Sequence, residues 1–212
     1  MLFRSKVDVA KAMIQMCSAL GSDVLLACSS TSAHAQGDPE VLTRDLQKLA
    51  MLAVPFGIRV AYEALSWGRY VNEYPEAWEI VQKADRSNLG LCLDSFHMLA
   101  NRTDLAALAD IDPDKIFLVQ LSDFLWQEVR SPEDRIDTAR HYRVFPGEGV
   151  HSDKLTALVR DIDAMGYRGD YSFEVFNDDY RALPLPMVSD RARRSVKWIT
   201  GLVSRRSLPA RR

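Results

Sequence analysis

Four stretches of apolar sequence, RVAYEAL, LGLCLDSFH, IFLVQLSD and YSFEVFN, each carry one side chain that can offer oxygen to a cation: Glu63, Asp94, Gln120 and Glu174. Strands buried on both faces of a parallel sheet read as such apolar runs, so an acid inside one needs a reason. The spacings between the four residues are 31, 26 and 54 positions. The first two fit one strand–helix–strand repeat each, and the third is close to two repeats. In a parallel α/β barrel, that spacing brings strand ends from different repeats to one rim, where such barrels keep their chemistry.

The rest of the chain keeps the same rhythm. Ser5 and Asp8 make a capping pair for a first helix with apolar positions from Val7 to Leu20, and Gly21 stops it. A short strand, 23–29, follows. Asp38-Pro39-Glu40 then opens a helix ended by Pro55 and Gly57. Strands are expected at 58–65, 89–94, 116–121, near 142–145 and at 171–176, with helices around 74–86, 103–109, 152–165 and 187–202. The polar stretch 124–141 has no apolar period and reads as a functional loop. Six strands in alternation with helices argue a parallel α/β fold. The bland alternative is an open doubly wound sheet, but no Gly-rich phosphate turn follows an early strand. We favour a (β/α)₈ TIM barrel lacking its first two strands, because such barrels take about 250 residues and this chain has 212 and begins with a helix. One domain is expected over 1–203, with a basic C-terminal tail at 204–212.

Composition narrows the function classes. The net charge of -2 gives no broad electrostatic reason to bind nucleic acid or a membrane. Arginines cluster only at the end of the chain, as a solvated last helix and tail would. Cys17, Cys28 and Cys92 are widely spaced in apolar surroundings and read as reduced core thiols. With no membrane-length apolar run and no signal-peptide pattern, a cytoplasmic location is the default. A homo-oligomer is compatible with all of this.

Glu63, Asp94 and Glu174 bring like charges together, and with Gln120 they form an all-oxygen ligand set that favours Mg²⁺ or Mn²⁺. The rival reading is a buried carboxylate network satisfied by arginines. His97, three residues past Asp94, suits proton transfer, with a base that takes the proton beside a ketone as its expected role, or support of a ligand; His34, His141 and His151 have weaker claims. Asp123 is an alternative to Gln120, read rather as a supporting residue. Arg140 and Arg143 suit a carboxylate or phosphate clamp, or else salt bridges to nearby acids. Glu148, in Pro146-Gly147-Glu148-Gly149, either orients a catalytic or substrate group or starts the next helix.

The segments YEAL, LDSFH, VQLSD, RVFPGEG and GYRGDYSFEVFN, in this order and spacing, resemble the xylose-isomerase-like barrels grouped as sugar phosphate isomerases/epimerases. More narrowly they resemble bacterial 3-dehydroshikimate dehydratases, some of which are fused to a domain like 4-hydroxyphenylpyruvate dioxygenase. The resemblance runs from about Arg4 to Val203. It implies one divalent ion held at Glu63, Asp94, Gln120 and Glu174, with His97 at the position of the family's histidine. It also implies dehydration of 3-dehydroshikimate, a small carboxylate, to protocatechuate through a metal-stabilised enolate. Isomerisation of a sugar or keto-acid is the alternative, since isomerases of the superfamily also use glutamine as third ligand. The family's first two strands have no counterpart here, which motivates a further alternative, an inactive truncated barrel.

Overall fold

The computed structural model describes residues 6–202. Its elements run α1 (Lys6–Leu20), β1 (Val24–Cys28), α2 (Pro39–Ala53), β2 (Arg59–Glu63), α3 (Tyr74–Ala84), β3 (Leu89–Asp94), α4 (Ser95–Asn101), β4 (Ile116–Leu121), α5 (Pro132–His141), α6 (Ser152–Met165), β5 (Tyr171–Phe173), α7 (Asp178–Arg181) and α8 (Leu185–Leu202). Short 3₁₀ turns lie between some of them. The five strands form one parallel sheet in the order β1-β2-β3-β4-β5. That order decides between the two architectures. A doubly wound sheet reverses its strand order at a switch point, whereas a barrel adds each strand beside the last. The sheet is an arc of a TIM barrel.

Local chemistry starts and stops the helices. Asp38 caps α2 by accepting from the Glu40 N–H at 2.9 Å, with Pro39 at the first helical position. Glu73 and Glu76 form a reciprocal capping box at α3. Gly166, at φ 101°, ends α6 in the left-handed conformation that only glycine adopts without strain. The Ser5 cap of α1 and the tail 204–212 lie outside the described residues.

Side chains alternate across each strand, and the alternation sorts core from site. Val60, Tyr62, Leu89, Leu91, Leu93, Val119 and Leu121 point to the helix layer and join the main core with Ala50, Ala77, Val81, Leu155 and Ile162. The opposite face carries a small second cluster of Ala61, Cys92 and Phe117, with Val24, Leu26 and Leu118 packed on it. Glu63, Asp94 and Gln120 share the parity of that inner face. The register lines up Cys28, Glu63 and Cys92 across three strands, and Asp94, Gln120 and Ser172 across three.

Several expectations are corrected. Residues 142–145 form no strand of the sheet; the segment makes isolated antiparallel bridges, Asp123 with Val144 and Tyr142 with Asn177. It is wedged between the chain leaving β4 and the chain leaving β5, so its backbone groups bond to both sides: Val144 with Asp123, and Arg143 N–H to the Phe176 carbonyl. The sheet therefore has five strands among the described residues, not six. The 124–141 stretch is not all loop, since α5 fills its second half behind a capping box of Ser131 and Asp134. The helix near 103–109 is a 3₁₀ turn, Leu105–Asp110, and α4 stands before it. The thiols are not uniformly core: Cys92 is buried, Cys17 half-buried and Cys28 exposed.

Candidate metal centre

At the C-terminal ends of β2, β3 and β4 and just beyond β5, the inner-face positions converge. Glu63 and Asp94 are each only 3% exposed, and Gln120 is 7%. Glu174 follows β5 and is more open. Asp94 does two things at once: its Oδ1 caps α4 by accepting from the Phe96 N–H at 2.7 Å, and its Oδ2 faces the cluster. The cap turns the chain straight from strand into helix, which carries His97 back over the strand ends.

Arg143 is the cation of the cluster. Its Nη1 lies 2.7 Å from Asp94 Oδ2 and 2.9 Å from Glu174 Oε2. Its Nε donates to the Ala139 carbonyl at 3.0 Å, and the guanidinium sits 4.4 Å over the Phe96 ring. These bonds hold Arg143 inside the protein, so it balances acids rather than standing free to clamp a ligand. Arg140 differs. It lines the cleft from the surface.

His97 Nδ1 accepts the Ser66 backbone N–H at 3.0 Å. A neutral imidazole with one nitrogen accepting carries its hydrogen on the other. Nε2–H therefore faces Asp94 Oδ2 at 3.6 Å and Glu63 Oε1 at 3.8 Å. The three residues Glu63, Asp94 and His97 have ligand atoms within 4.8 Å of one another. In this tautomer, however, His97 offers the cluster a hydrogen and not a lone pair. Trp67 packs edge-on against its ring at 4.9 Å between centroids.

The electrostatics follow from burial and crowding. Glu63 is pushed up to about 8, first by burial and then by Asp94. Glu174 is raised by burial and by Asp94, against the pull of Arg143. Burial alone would raise Asp94 too, but Arg143, then His97, hold it below the usual range. His97 is lowered to about 4 by burial, against the attraction of Asp94. Two thiols join the network: Cys28 donates to Glu63 Oε2 and Cys92 to Gln120 Oε1, both at 3.1 Å. The Gln120 side chain in turn hydrogen-bonds Glu174.

The cluster suits a divalent ion on two observations. Glu63 Oε1 is buried with no hydrogen-bond partner, an arrangement that costs free energy unless something occupies that side. Three carboxyl groups against one guanidinium also leave two negative charges to balance when all are ionised. Oxygen donors of this kind would be supplied by Glu63, Asp94 and Glu174, with Gln120 beside them. A cleft of about 460 Å³ opens at the cluster, lined by Glu63, His97, Arg143 and Glu174, by apolar Leu26, Leu65, Trp67 and Phe176, and by Arg140, His141 and Arg181.

The other sequence candidates lie away from the cluster. Glu148 accepts from Tyr180 at 2.7 Å and from Arg191 at 2.9 Å, tying its turn to α7 and α8. Those bonds fix the turn. Asp123 accepts from the Phe124 and His151 backbone N–H groups and so anchors the same turn. His151 bonds the Trp126 carbonyl, His141 pairs with Asp178 at 2.8 Å, and His34 is exposed. Sequence reasoning missed Cys28 and Ser66 as parts of the centre. The alternation in DVLLACS, which puts Cys28 on the parity of Leu26, was the available signal for the first; Ser66, in a loop, left none.

Known proteins share this arrangement of elements. The 3-dehydroshikimate dehydratase of Pseudomonas aeruginosa is 43% identical over 178 residues, 84% of this chain and 27% of that protein. The enzyme of the same description from Pseudomonas putida is 41% identical, over 85% of this chain and 28% of that one. This chain thus spans little more than a quarter of the length of these relatives. The inosose isomerase of Bacillus subtilis is 29% identical, over 82% of this chain and 61% of that protein. Among solved structures, a xylose isomerase-like TIM barrel/4-hydroxyphenylpyruvate dioxygenase fusion protein superposes with a TM-score of 0.84 at 39% identity, over 91% of this chain and 30% of that one. A crystal structure of the IOLI protein with a bound zinc atom gives 0.81 at 26% identity, over 93% and 70%. A family model, xylose isomerase-like TIM barrel, matches residues 3–202, and the chain belongs to that family.

Proposed function

We propose that the chain carries the metal centre of a 3-dehydroshikimate dehydratase, converting 3-dehydroshikimate to protocatechuate. The observation that carries the reading is the buried Glu63–Asp94–Glu174 cluster, with one unpartnered oxygen and two charges to balance, in a chain 41–43% identical to proteins of that description. A divalent ion, Mg²⁺ or Mn²⁺ by its oxygen donors, would be held by Glu63, Asp94 and Glu174 with Gln120 and supply a Lewis acid for the substrate ketone.

The chain's own groups do the rest. Arg140, at the surface of the cleft, holds the ring carboxylate. Trp67, Leu65 and Phe176 give the ring an apolar wall that excludes water. His97 presents Nε2–H to the reacting side, so it donates a hydrogen bond to the departing hydroxyl and abstracts no proton. The proton next to the ketone passes to a carboxylate of the cluster. That proton is handed on to the departing hydroxyl, which leaves as water, and transfer of a second ring proton to the ketone oxygen makes the ring aromatic.

The test is to add Mn²⁺ and 3-dehydroshikimate to the purified chain and follow the ultraviolet absorbance of the aromatic product. A folded, Mn²⁺-binding chain that forms none of it rules the reading out. The relatives described as inosose isomerases favour a second reading, isomerisation of a ketose, which shares proton removal beside a ketone but returns the proton. Solvent deuterium in recovered substrate, with no aromatic product, selects that reading instead.

A further inference from the structure

The chemistry proposed above leaves one feature of the centre unused: the thiols that bracket Glu63. Cys28 on β1 is opposite Glu63 on β2, and Glu63 is opposite Cys92 on β3. All three side chains therefore rise from the same row of the inner face. Ladder positions two strands apart are about 9–10 Å apart, beyond the Cα separation a disulfide spans. The thiols do not pair with each other. Each instead meets an oxygen of a residue in the cluster, Cys28 at Glu63 Oε2 and Cys92 at Gln120 Oε1.

For Glu63 the consequence is geometric. The terminal torsion of a glutamate is broad, so the carboxyl group has no intrinsic preference for which oxygen faces where. A donor on one oxygen removes that freedom. With Oε2 engaged by the Cys28 thiol, Oε1 is the oxygen turned toward His97, and it is the buried atom without a partner. A thiol is a weak donor. It orients the carboxylate while withdrawing little of the charge that a cation needs.

We infer that Cys28 is a positioning residue of the metal centre, its S–H···Oε2 bond holding Glu63 with Oε1 presented to the ion. The inference rests on the metal reading given under Proposed function. Cys28 is exposed at the end of β1 and lines the cleft, so its side chain can be changed without opening the main core.

The experiment compares the full chain with Cys28→Ala, which removes the donor, and Cys28→Ser, which keeps one. Mn²⁺ is titrated into each and followed by calorimetry. Cys28→Ala is expected to weaken Mn²⁺ binding by roughly 10- to 100-fold, the usual cost of losing a group that orients a ligand, and Cys28→Ser to recover most of that loss. The melting temperature of the ion-free protein should be the same in all three. Equal affinity in Cys28→Ala and the parent overturns the inference, as does an equal loss in both variants. Failure of the parent to bind Mn²⁺ overturns the metal reading and this assignment together, which separates the two failures. A metal-independent readout is the infrared S–H stretch of Cys28, identified by its disappearance in Cys28→Ser. It should lie below that of free cysteine in water, and a band at the free position also overturns the inference.

Discussion

Glu63, Asp94 and Glu174 form a cluster around one close guanidinium, that of Arg143, and the charge left over bears on how each of them titrates. Asp94 and Glu174 have Arg143 within 2.9 Å, whereas Glu63 meets a thiol and the neutral His97 ring rather than a guanidinium. That asymmetry explains why Glu63 is pushed up to about 8 while Asp94 is held low. A ligand must shed its proton to bind a cation. Mn²⁺ affinity measured by calorimetry should therefore rise about tenfold per pH unit below about 8 and level off above it, with Glu63 as the group that sets the bend. Glu63→Gln should bind weakly and lose the bend; a bend that stays in this variant assigns it to another group. Arg143 offers a second test. Removing one partner of a buried pair costs about 3–5 kcal/mol, and the partial exposure of Glu174 favours the lower end. Arg143→Met should lower urea stability of the ion-free protein by about 3 kcal/mol and regain part of it with Mn²⁺. An unchanged midpoint would mean the acids simply take up protons at little cost.

At the scale of elements, α5 links the surface of the cleft to the centre, because Ala139, Arg140 and His141 on its last turn line the opening. Its start rests on the Ser131–Asp134 capping box, with Ser131 Oγ accepting from the Asp134 N–H at 3.1 Å. Ser131→Ala should cost about 1 kcal/mol by chemical denaturation. A cost near zero would show that tertiary packing alone holds the helix. The same element shows where sequence reading stops. The run PEDRIDTARH buries only Thr138 and Ala139, so it has no apolar period to detect, although Ser131 followed by Pro-Glu-Asp at its start is a helix-start signature. In α4 the reverse holds: six of its seven residues are buried and no polar face marks a period. The strands were legible because burial on both faces leaves continuous apolar runs with the acids standing out against them. Residues 142–145 look like another such strand, yet they cross between two other segments as antiparallel bridges, a choice set by long-range pairing. Glu148 and Arg143 illustrate the same limit at the site, since what a charged side chain meets in space is not written beside it in the chain.

For the whole molecule, the centre couples folding to pH and to metal in a way that can be read from two groups. Folded Glu63 keeps its proton up to about 8, against an ordinary glutamate value of 4.5. Between those values the folded protein holds a proton the unfolded chain has lost, so stability falls as pH rises. His97 acts oppositely and lower down: its folded value near 4 lies below 6.5, so stability falls as pH drops from 6.5 toward 4. The two effects overlap below pH 6.5, but between about 6.5 and 8 only the Glu63 effect of this pair operates. Ion-free protein should therefore lose stability across that window, by up to about 1.4 kcal/mol per pH unit for one whole proton. Saturating Mn²⁺ keeps Glu63 ionised in the folded state, which then matches the unfolded chain in protons bound, and the slope should flatten. The bound ion also adds stability by mass action, about 2.7 kcal/mol at a hundred times its dissociation constant, and a chelator should return the protein to the sloping curve. Denaturation midpoints at several pH values, with Mn²⁺ and with chelator, decide the matter. Parallel curves with and without the ion would show that Glu63 is not the proton that metal binding displaces, and the charge argument for a divalent centre would lose its footing.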